Sequence, residues 1–541
     1  MIGVLADPAQ EEVVREFFEL FKTPWEFYRK DRKYEVVLCS GHPPAAIEAN
    51  LVVVYAGTRI NIDDEKNLQT KPEQSADRLL LYKRKRLPLY GELVTFRGKD
   101  NGILEHATSH EAVAWIDRSG QAALARVGYD LFDEVGRLLT IGQPAEHAAV
   151  PSLELHIAFL RDLITSCGLP LVEIPPIPEG YAFIACLTHD VDHPSIRKHK
   201  WDHTMLGFLY RAVVGSVRDV MRARTTLRSL IANWSAVLKL PFIHLGIAQD
   251  FWRNFDDQYL QAEKNLPSTF FFIPYKDRPG KSAQGAAPSF RASSYGAAEL
   301  RDSIHKLLAA GCEVGVHGID AWIDSESGRN ELAEIRSLTQ STEIGVRMHW
   351  LYFDEESPVV LQKAGFSYDS TVGYNGAVGY RAGTSQAFKP LKATELLELP
   401  LIAMDTALFY PSHLGLSSKD GVKLLSQLLD EADQFGGCFT VNWHDRSLAP
   451  ERNWADCYWE LIEQLKQRKV WFATAQQATD WFRKRRSVSF ETDGVDPNKM
   501  QVRTWVGEKD GLPGVRLFVH NSGKTESVGL VPQTPTSICL A

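Results

Sequence analysis

Phe183-Ile184-Ala185-Cys186-Leu187-Thr188-His189-Asp190-Val191-Asp192-His193 is an apolar run that ends in two carboxylates and two imidazoles. Residues two apart on a strand share a face, so Asp190 and Asp192 are expected to point into one cavity while Val191 packs behind them. Two carboxylates this close do not both stay ionised and unpaired in a dry site; a cation, a proton or an arginine must share the space. The competing reading is a turn cluster, since Asp is common where strands stop. Pro194 ends the strand.

The same pattern recurs along the chain. Glu313-Val314-Gly315-Val316-His317-Gly318-Ile319-Asp320 is a short apolar strand ending in His and Asp, and Gly345-Val346-Arg347-Met348-His349-Trp350 is another ending in Arg and His. Gly365 to Thr371, with Tyr368-Asp369, and Cys438-Phe439-Thr440-Val441-Asn442-Trp443-His444-Asp445 complete the set. Between them, Ala297 to Ala310, Ser325 to Gln340 and Gly421 to Phe435 place apolar residues at helical spacing. Strand followed by helix, repeated, argues for an α/β fold of parallel strands wrapped by helices, with reactive groups gathered where the strands end.

Over residues 180 to 485 these motifs resemble the polysaccharide deacetylase family, the NodB-homology carbohydrate esterases (carbohydrate esterase 4-like). The resemblance implies a distorted, incomplete (β/α) barrel. It makes Asp190 the catalytic base and Asp192 a metal ligand. The family's second motif carries two His four residues apart; this chain keeps His317 but has Ala321 in the second place. The third motif is ordinarily Arg-x-Pro-aromatic, whereas Arg347-Met348-His349-Trp350 has an imidazole in place of the proline. The missing ligand is thus expected to have moved to the neighbouring strand, as in a subgroup that also carries a segment like Gly379-Tyr380-Arg381-Ala382-Gly383-Thr384. The expected ligands are Asp192, His317 and His349, with Asp320 competing for the third place and His193 in reserve. Such a set with an open position suits Zn²⁺, and Co, Ni or Fe would also fit. Against these stand a supporting role for His349 and a helix N-cap role for Asp320.

Hydrolysis of an amide or ester gives each residue a task. A bound divalent ion lowers the pKa of water and polarises the acyl oxygen. Asp190 takes the water's proton, with Arg347 expected to keep it ionised. By the family's last motif His444 is the general acid, and by its fourth motif Asp369 orients and charges that histidine. Arg381 is a candidate for binding substrate, or a surface ion pair. Trp350 and Trp443, with Trp322 and Tyr352, are candidates for stacking on sugar rings, or simply core. His189 falls on the opposite strand face and is expected to pack there with one backbone hydrogen bond.

With 541 residues the chain exceeds one ordinary core. The sequence divides into a small α/β domain at 1–110, a helical connector at 111–180, the barrel at 181–485 with a helical insertion at 195–266, and a small β-rich module at 486–541. A net charge of −8 gives no basic field for nucleic acid. The seven scattered cysteines suggest no disulfide framework. The opening Met1 to Pro8 lacks a basic, then long apolar, stretch, and no later segment is apolar enough to span a bilayer, so a cytoplasmic protein is expected. Within the insertion, residues 197–239 carry Lys198, Lys200, Arg211, Arg218, Arg222, Arg224 and Arg228 among apolar residues. That composition fits either a solvated helical lid or a peripheral contact with an anionic membrane. The function expected is a metal-dependent deacetylase acting on an N- or O-acetylated saccharide in surface-polysaccharide synthesis. Opening of a cyclic amide by the same barrel, and glycan binding without turnover, are the alternatives.

Overall fold

In a computed structural model the described residues are all but 45–46, 74–77, 99–102, 121, 223–225, 265, 450, 493–498, 504–510, 522–523, 531–535 and 540–541. Arg224, the expected strand continuation Thr504 to Val506 and the side chain of Cys539 therefore lie outside the description. The chain forms two compact units, residues 180–379 with 392–480, and residues 1–179 with 380–391 and 481–541.

The first of these units is built on nine parallel strands: β1 (Phe183–Val191), β2 (Ser268–Phe272), β3 (Glu313–Gly318), β4 (Val346–Met348), β5 (Tyr368–Asp369), β6 (Leu397–Glu398), β7 (Ala403–Met404), β8 (Cys438–Asn442) and β9 (Val470–Phe472). They run in the order β6-β5-β4-β3-β2-β1-β8-β7, with β9 on β1. All nine residues of β1 are buried, as expected of a strand covered on both faces. One edge of β1 pairs with β8, while the other pairs with β9 at Phe183 to Ala185 and with β2 at Leu187 to Val191.

The outer strands β6 and β7 stand at opposite ends of this order yet are five residues apart in sequence. Leu399 N donates to Asp369 O (2.8 Å), Leu401 N to Val372 O (2.9 Å) and Ile402 N to Thr440 O (2.9 Å). One extended segment thus touches both edges, and the sheet is curled into a barrel closed by that segment instead of a continuous ladder. Helices Arg301–Ala309, Ser325–Thr339, Ser357–Ala364, Ser418–Phe435 and Ala455–Lys466 connect the strands, with Asp324 and Ser417 capping two of them. The insertion after β1 folds as His203–Leu209, a π-helical turn at Tyr210–Gly215, Ser216–Met221, Leu227–His244 and Phe255–Glu263.

The other unit carries a six-stranded sheet in the order Ala114–Asp117, Ala123–Val127, Ala49–Tyr55, Tyr34–Ser40, Ile2–Leu5, Trp25–Phe27, parallel except at its first pair. Its division differs from the sequence boundaries at several points, and the expected helical connector at 111–180 begins with strands of this sheet, Ala114–Asp117 and Ala123–Val127. Leu171–Glu173, from the expected connector, pairs antiparallel with Arg516–Asn521, because two or three short strands cannot bury a core alone. The segment 380–391, assigned by sequence to the barrel, joins this unit instead: Thr384 Oγ1 and Gln386 Nε2 donate to the buried Glu154, and Lys389 N donates to Glu16 (2.8 Å).

Candidate active site

Asp190 and Asp192, at the end of β1, line a cavity of about 710 Å³ together with His193, His317, His349 and His444. Asp190 is buried and fully engaged. Its Oδ2 accepts from Asn442 Nδ2 (2.7 Å), its backbone N donates to Asn442 Oδ1 (3.1 Å), and its Oδ1 accepts from Arg347 Nη1 (3.1 Å). Arg347, buried on β4, also donates to Thr188 Oγ1 (2.6 Å), Ser370 O (2.9 Å) and Ser370 Oγ (2.8 Å), with its guanidinium 4.6 Å over the ring of Phe271. The Arg–Asp pair is therefore a fixed part of the barrel end, held by three strands.

Beside it, Asp192, His317 and His349 bring one donor atom each within 4.8 Å of one another. Asp192 Oδ1 lies 3.3 Å from His317 Nε2 and 3.4 Å from His349 Nδ1, and those two nitrogens are 3.0 Å apart. His317 Nδ1 donates to Arg347 O (3.0 Å), which leaves the Nε2 lone pair facing Asp192. Asp192 Oδ1 is buried without a hydrogen-bond partner. Burial lowers His349 toward the neutral imidazole that coordination needs, against the pull of Asp192. An orphaned carboxylate oxygen between two imidazole nitrogens is what a divalent cation requires, so the residues fit the metal that the sequence implied.

The close approach of β3 and β4 has local causes. Gly318 follows His317, and a Cβ there would sit 2.6 Å from Met348 Sδ. After His349 the chain turns through Trp350 and Leu351 in left-handed conformation (φ 63° and 54°), held by Arg291 Nη2 to His349 O (2.8 Å) and Asn375 Nδ2 to Trp350 O (3.0 Å). Two adjacent non-glycine residues in that region are costly and mark a turn whose geometry is used. Asp320, the rival third ligand, is outside this group: it accepts from Lys281 N (2.8 Å) and does not line the cavity. Helix Ser325–Thr339 is capped by Asp324, so Asp320 is not its N-cap either. His193 lines the cavity, but its Nδ1 is 3.3 Å from His199 Nε2.

His444 Nε2 stands 3.7 Å from Asp192 Oδ2. Its Nδ1 is 2.6 Å from Asp405 Oδ1, and its backbone N donates to Asp405 Oδ2 (2.8 Å). Burial alone would lower this imidazole; Asp405, then Asp192 and Asp190, outweigh it and raise His444 to about 10. The carboxylate on His444 is therefore Asp405, which corrects the expectation that Asp369 holds it. Asp369 sits opposite Glu398 on the β5–β6 ladder, accepts from Thr371 Oγ1 and is pushed up to about 6 by burial. The sequence held a signal for Asp405: Leu401-Ile402-Ala403-Met404-Asp405 is one more apolar run ending in a carboxylate, disguised by Pro400 and by the two-residue length of β7.

Trp350 and Tyr352 line the cavity. Trp443 does not: it is buried against Tyr458, ring centroids 5.2 Å apart, because alternation turns it away from His444. Trp322 is likewise buried and off the cavity wall, and Arg381 falls in the other unit, where its carbonyl accepts from Gln143 N (2.8 Å). His189 lies on the opposite face of β1, with its Nδ1 2.9 Å from Trp443 O and its Nε2 2.8 Å from Glu263.

No protein-family model matches the chain, and no curated protein matches it. Among solved structures, similar ones include a protein assigned as a polysaccharide deacetylase from Mycobacterium smegmatis (18% identity, 57% of this chain and 94% of that one, TM-score 0.34). Another is assigned as a polysaccharide deacetylase from Pseudomonas aeruginosa PAO1 (15%, 57% and 94%, TM-score 0.36). A third is the Puue allantoinase (15%, 57% and 92%, TM-score 0.34). Likeness at this level assigns no family.

Proposed function

We propose that the chain is a metal-dependent hydrolase that removes acetyl groups from an N- or O-acetylated saccharide, in the synthesis or modification of a surface polysaccharide. The observation that supports this most is the convergence of three differently equipped groups on one cavity. These are an arginine-paired carboxylate, an Asp-His-His donor set and a carboxylate-backed histidine, with 3.9 Å from Asp190 to His317 and 3.7 Å from Asp192 to His444. A binding scaffold needs no such matched base and acid.

Asp192, His317 and His349 hold the ion, with zinc as the first expectation. When bound it supplies polarisation of the acyl oxygen and acidification of water. Asp190 accepts the proton of the attacking water, its carboxylate held in place by Arg347 and Asn442. Asp405 occupies His444 Nδ1, so the proton available to the leaving nitrogen or oxygen is the one on Nε2, the nitrogen nearest Asp192. Trp350 and Tyr352 offer aromatic faces to a sugar ring.

Metal analysis of the purified protein, paired with acetate release from a panel of acetylated glycans, tests this. Bound divalent metal with acetate release is the expected result. Metal with ring opening of a cyclic amide and no acetate would move the substrate class, and neither metal nor hydrolysis would end the proposal.

A further inference from the structure

One wall of the cavity gathers three guanidinium groups, on which Asp445, Asp192, Glu451 and Asp405 act without pairing to them. Arg211, Arg446 and Arg452 all line it, with Tyr410 among them. Arg452 is only 5% exposed, and its Nη1 approaches Tyr410 Oη at 3.4 Å. Arg452 Nε, Arg446 Nη1 and Arg211 Nε are buried with no hydrogen-bond partner, and among the described residues no carboxylate is ion-paired within 4.0 Å to any of the three guanidinium groups. Glu451 lies near them but gives Oε1 to Trp252 Nε1 (2.7 Å). Buried guanidinium groups without counterions are costly unless an anion completes them. The field shows in their neighbour: burial raises the Tyr410 phenol, yet the three arginines pull it down to about 7.

We propose that Arg211, Arg446, Arg452 and Tyr410 form a binding site for an anionic group on the substrate, either a phosphate ester or a sugar carboxylate. Planar guanidinium forks suit both oxyanions. Arg446 and His444 share one loop, so the anion is held beside the reacting acyl group. This rests on the cavity being the substrate site, but its test needs no turnover.

Calorimetry on the full-length, metal-loaded protein uses glucose 1-phosphate and glucuronate as separate probes, and the probe that binds identifies the oxyanion. Arg211→Gln should weaken that probe by about tenfold or more, the scale of a lost charge-assisted hydrogen bond, Arg446→Gln with Arg452→Gln should abolish binding, and Arg452→Lys should keep part of it. Asp192→Asn, which removes a metal ligand and a carboxylate that acts on Arg446, should not weaken the affinity. The site is overturned if neither probe binds, if the arginine variants bind as well as the parent, or if affinity vanishes in Asp192→Asn but survives in Arg211→Gln. Arg211 is only partly buried, on the insertion, so its variant stays informative should the double change unfold the chain.

The outer face of the same insertion carries an independent inference. Helix Leu227–His244 is inverted: Asn233, Ala236, Leu240 and Ile243 are buried, while Leu227, Ile231, Trp234, Leu238 and Phe242 are 47% to 74% exposed at helical spacing. Thirteen of the eighteen large apolar side chains exposed among the described residues lie between Trp201 and Ile247, far beyond what scattered surface residues require. Eight described basic residues against two acidic ones in 197–244 surround that patch. No described helix is long and apolar enough to cross a membrane. We infer that this face docks on an anionic lipid surface, because a second copy would set the same basic residues against each other. His203, Tyr210 and Arg211 of the insertion line the cavity, so docking would bring its mouth to the lipid.

Flotation of the full chain with phosphatidylglycerol–phosphatidylcholine vesicles should recover it, and phosphatidylcholine alone should recover much less. Ile231→Ser with Leu238→Ser and Phe242→Ser should lose binding without lowering the melting temperature. Arg228→Glu with Lys239→Glu, at exposed positions, should lose binding as well. Failure to float with the anionic vesicles, or a solution dimer that the serine changes dissolve, would overturn it.

Discussion

Replacing Asp405 by Asn separates the mechanism described above from the one expected from sequence. The side chain keeps its size but loses the charge 2.6 Å from His444 Nδ1. In the native site His444 is raised to about 10, so at about pH 8 it is almost fully protonated. Without Asp405 the burial that opposes protonation remains while Asp192 and Asp190 still favour it, so the imidazole falls from that value toward its ordinary one of about 6.5. A full return to about 6.5 would leave about 3% protonated at about pH 8, so the loss of available acid is at most about thirtyfold, or ~2 kcal/mol of barrier. At about pH 6 most of it is still protonated, and only the loss of orientation should remain. Acetate release from an amide substrate, followed from about pH 6 to 9, should show a deficit that grows with pH, while an activated ester with a good leaving group should show little. Asp369→Asn, by contrast, should leave the shape of the pH profile as it is. Equal losses by Asp405→Asn at both ends of the range, or a larger change of profile from Asp369→Asn, would refute the assignment.

Asp190→Asn should nearly abolish turnover while leaving bound metal unchanged by elemental analysis, because it removes proton abstraction and no ligand. His349→Ala should lose metal and activity together, whereas Asp320→Ala keeps both; retention of metal by His349→Ala sinks the relocated ligand. Ala321→His with His349→Pro restores the usual family pattern in sequence but should not restore metal, since Ala321 is buried and off the cavity wall. Arg347→Met leaves Asp190 buried beside Asn442 alone and should cost about 3–5 kcal/mol in denaturant unfolding, the scale of breaking a buried pair; a cost under about 1 kcal/mol would mean that the pair is not structural.

The barrel and its donor set were legible in sequence because parallel strands announce themselves as apolar runs, and their ends are where polar residues become useful. Asp190, Asp192, His317, Arg347, His349 and His444 all sit at such ends, so alternation alone aims them. What stayed hidden depended on distance in sequence. Asp405 lies 39 residues before its histidine and after a strand of two residues. Trp443 and Trp350 look alike as neighbours of site histidines, yet strand alternation buries one and a left-handed turn presents the other. Arg381 lies among the barrel motifs in sequence, but the carboxylates that fix its segment are those of Glu16 and Glu154. Arg211, Arg446 and Arg452 carry no spacing signal, since an insertion helix and a loop bring them to one wall.

The most direct test of the account is an anomalous-diffraction experiment at the zinc edge on crystals grown with the ion. The account predicts one ion with Asp192 oxygen, His317 Nε2 and His349 Nδ1 at about 2.0–2.2 Å, and His444 close by but unligated. An ion completed by Asp320 or His193, with the His349 ring turned away, would contradict the relocated ligand; no ion between Asp192 and His317 would contradict the hydrolase itself.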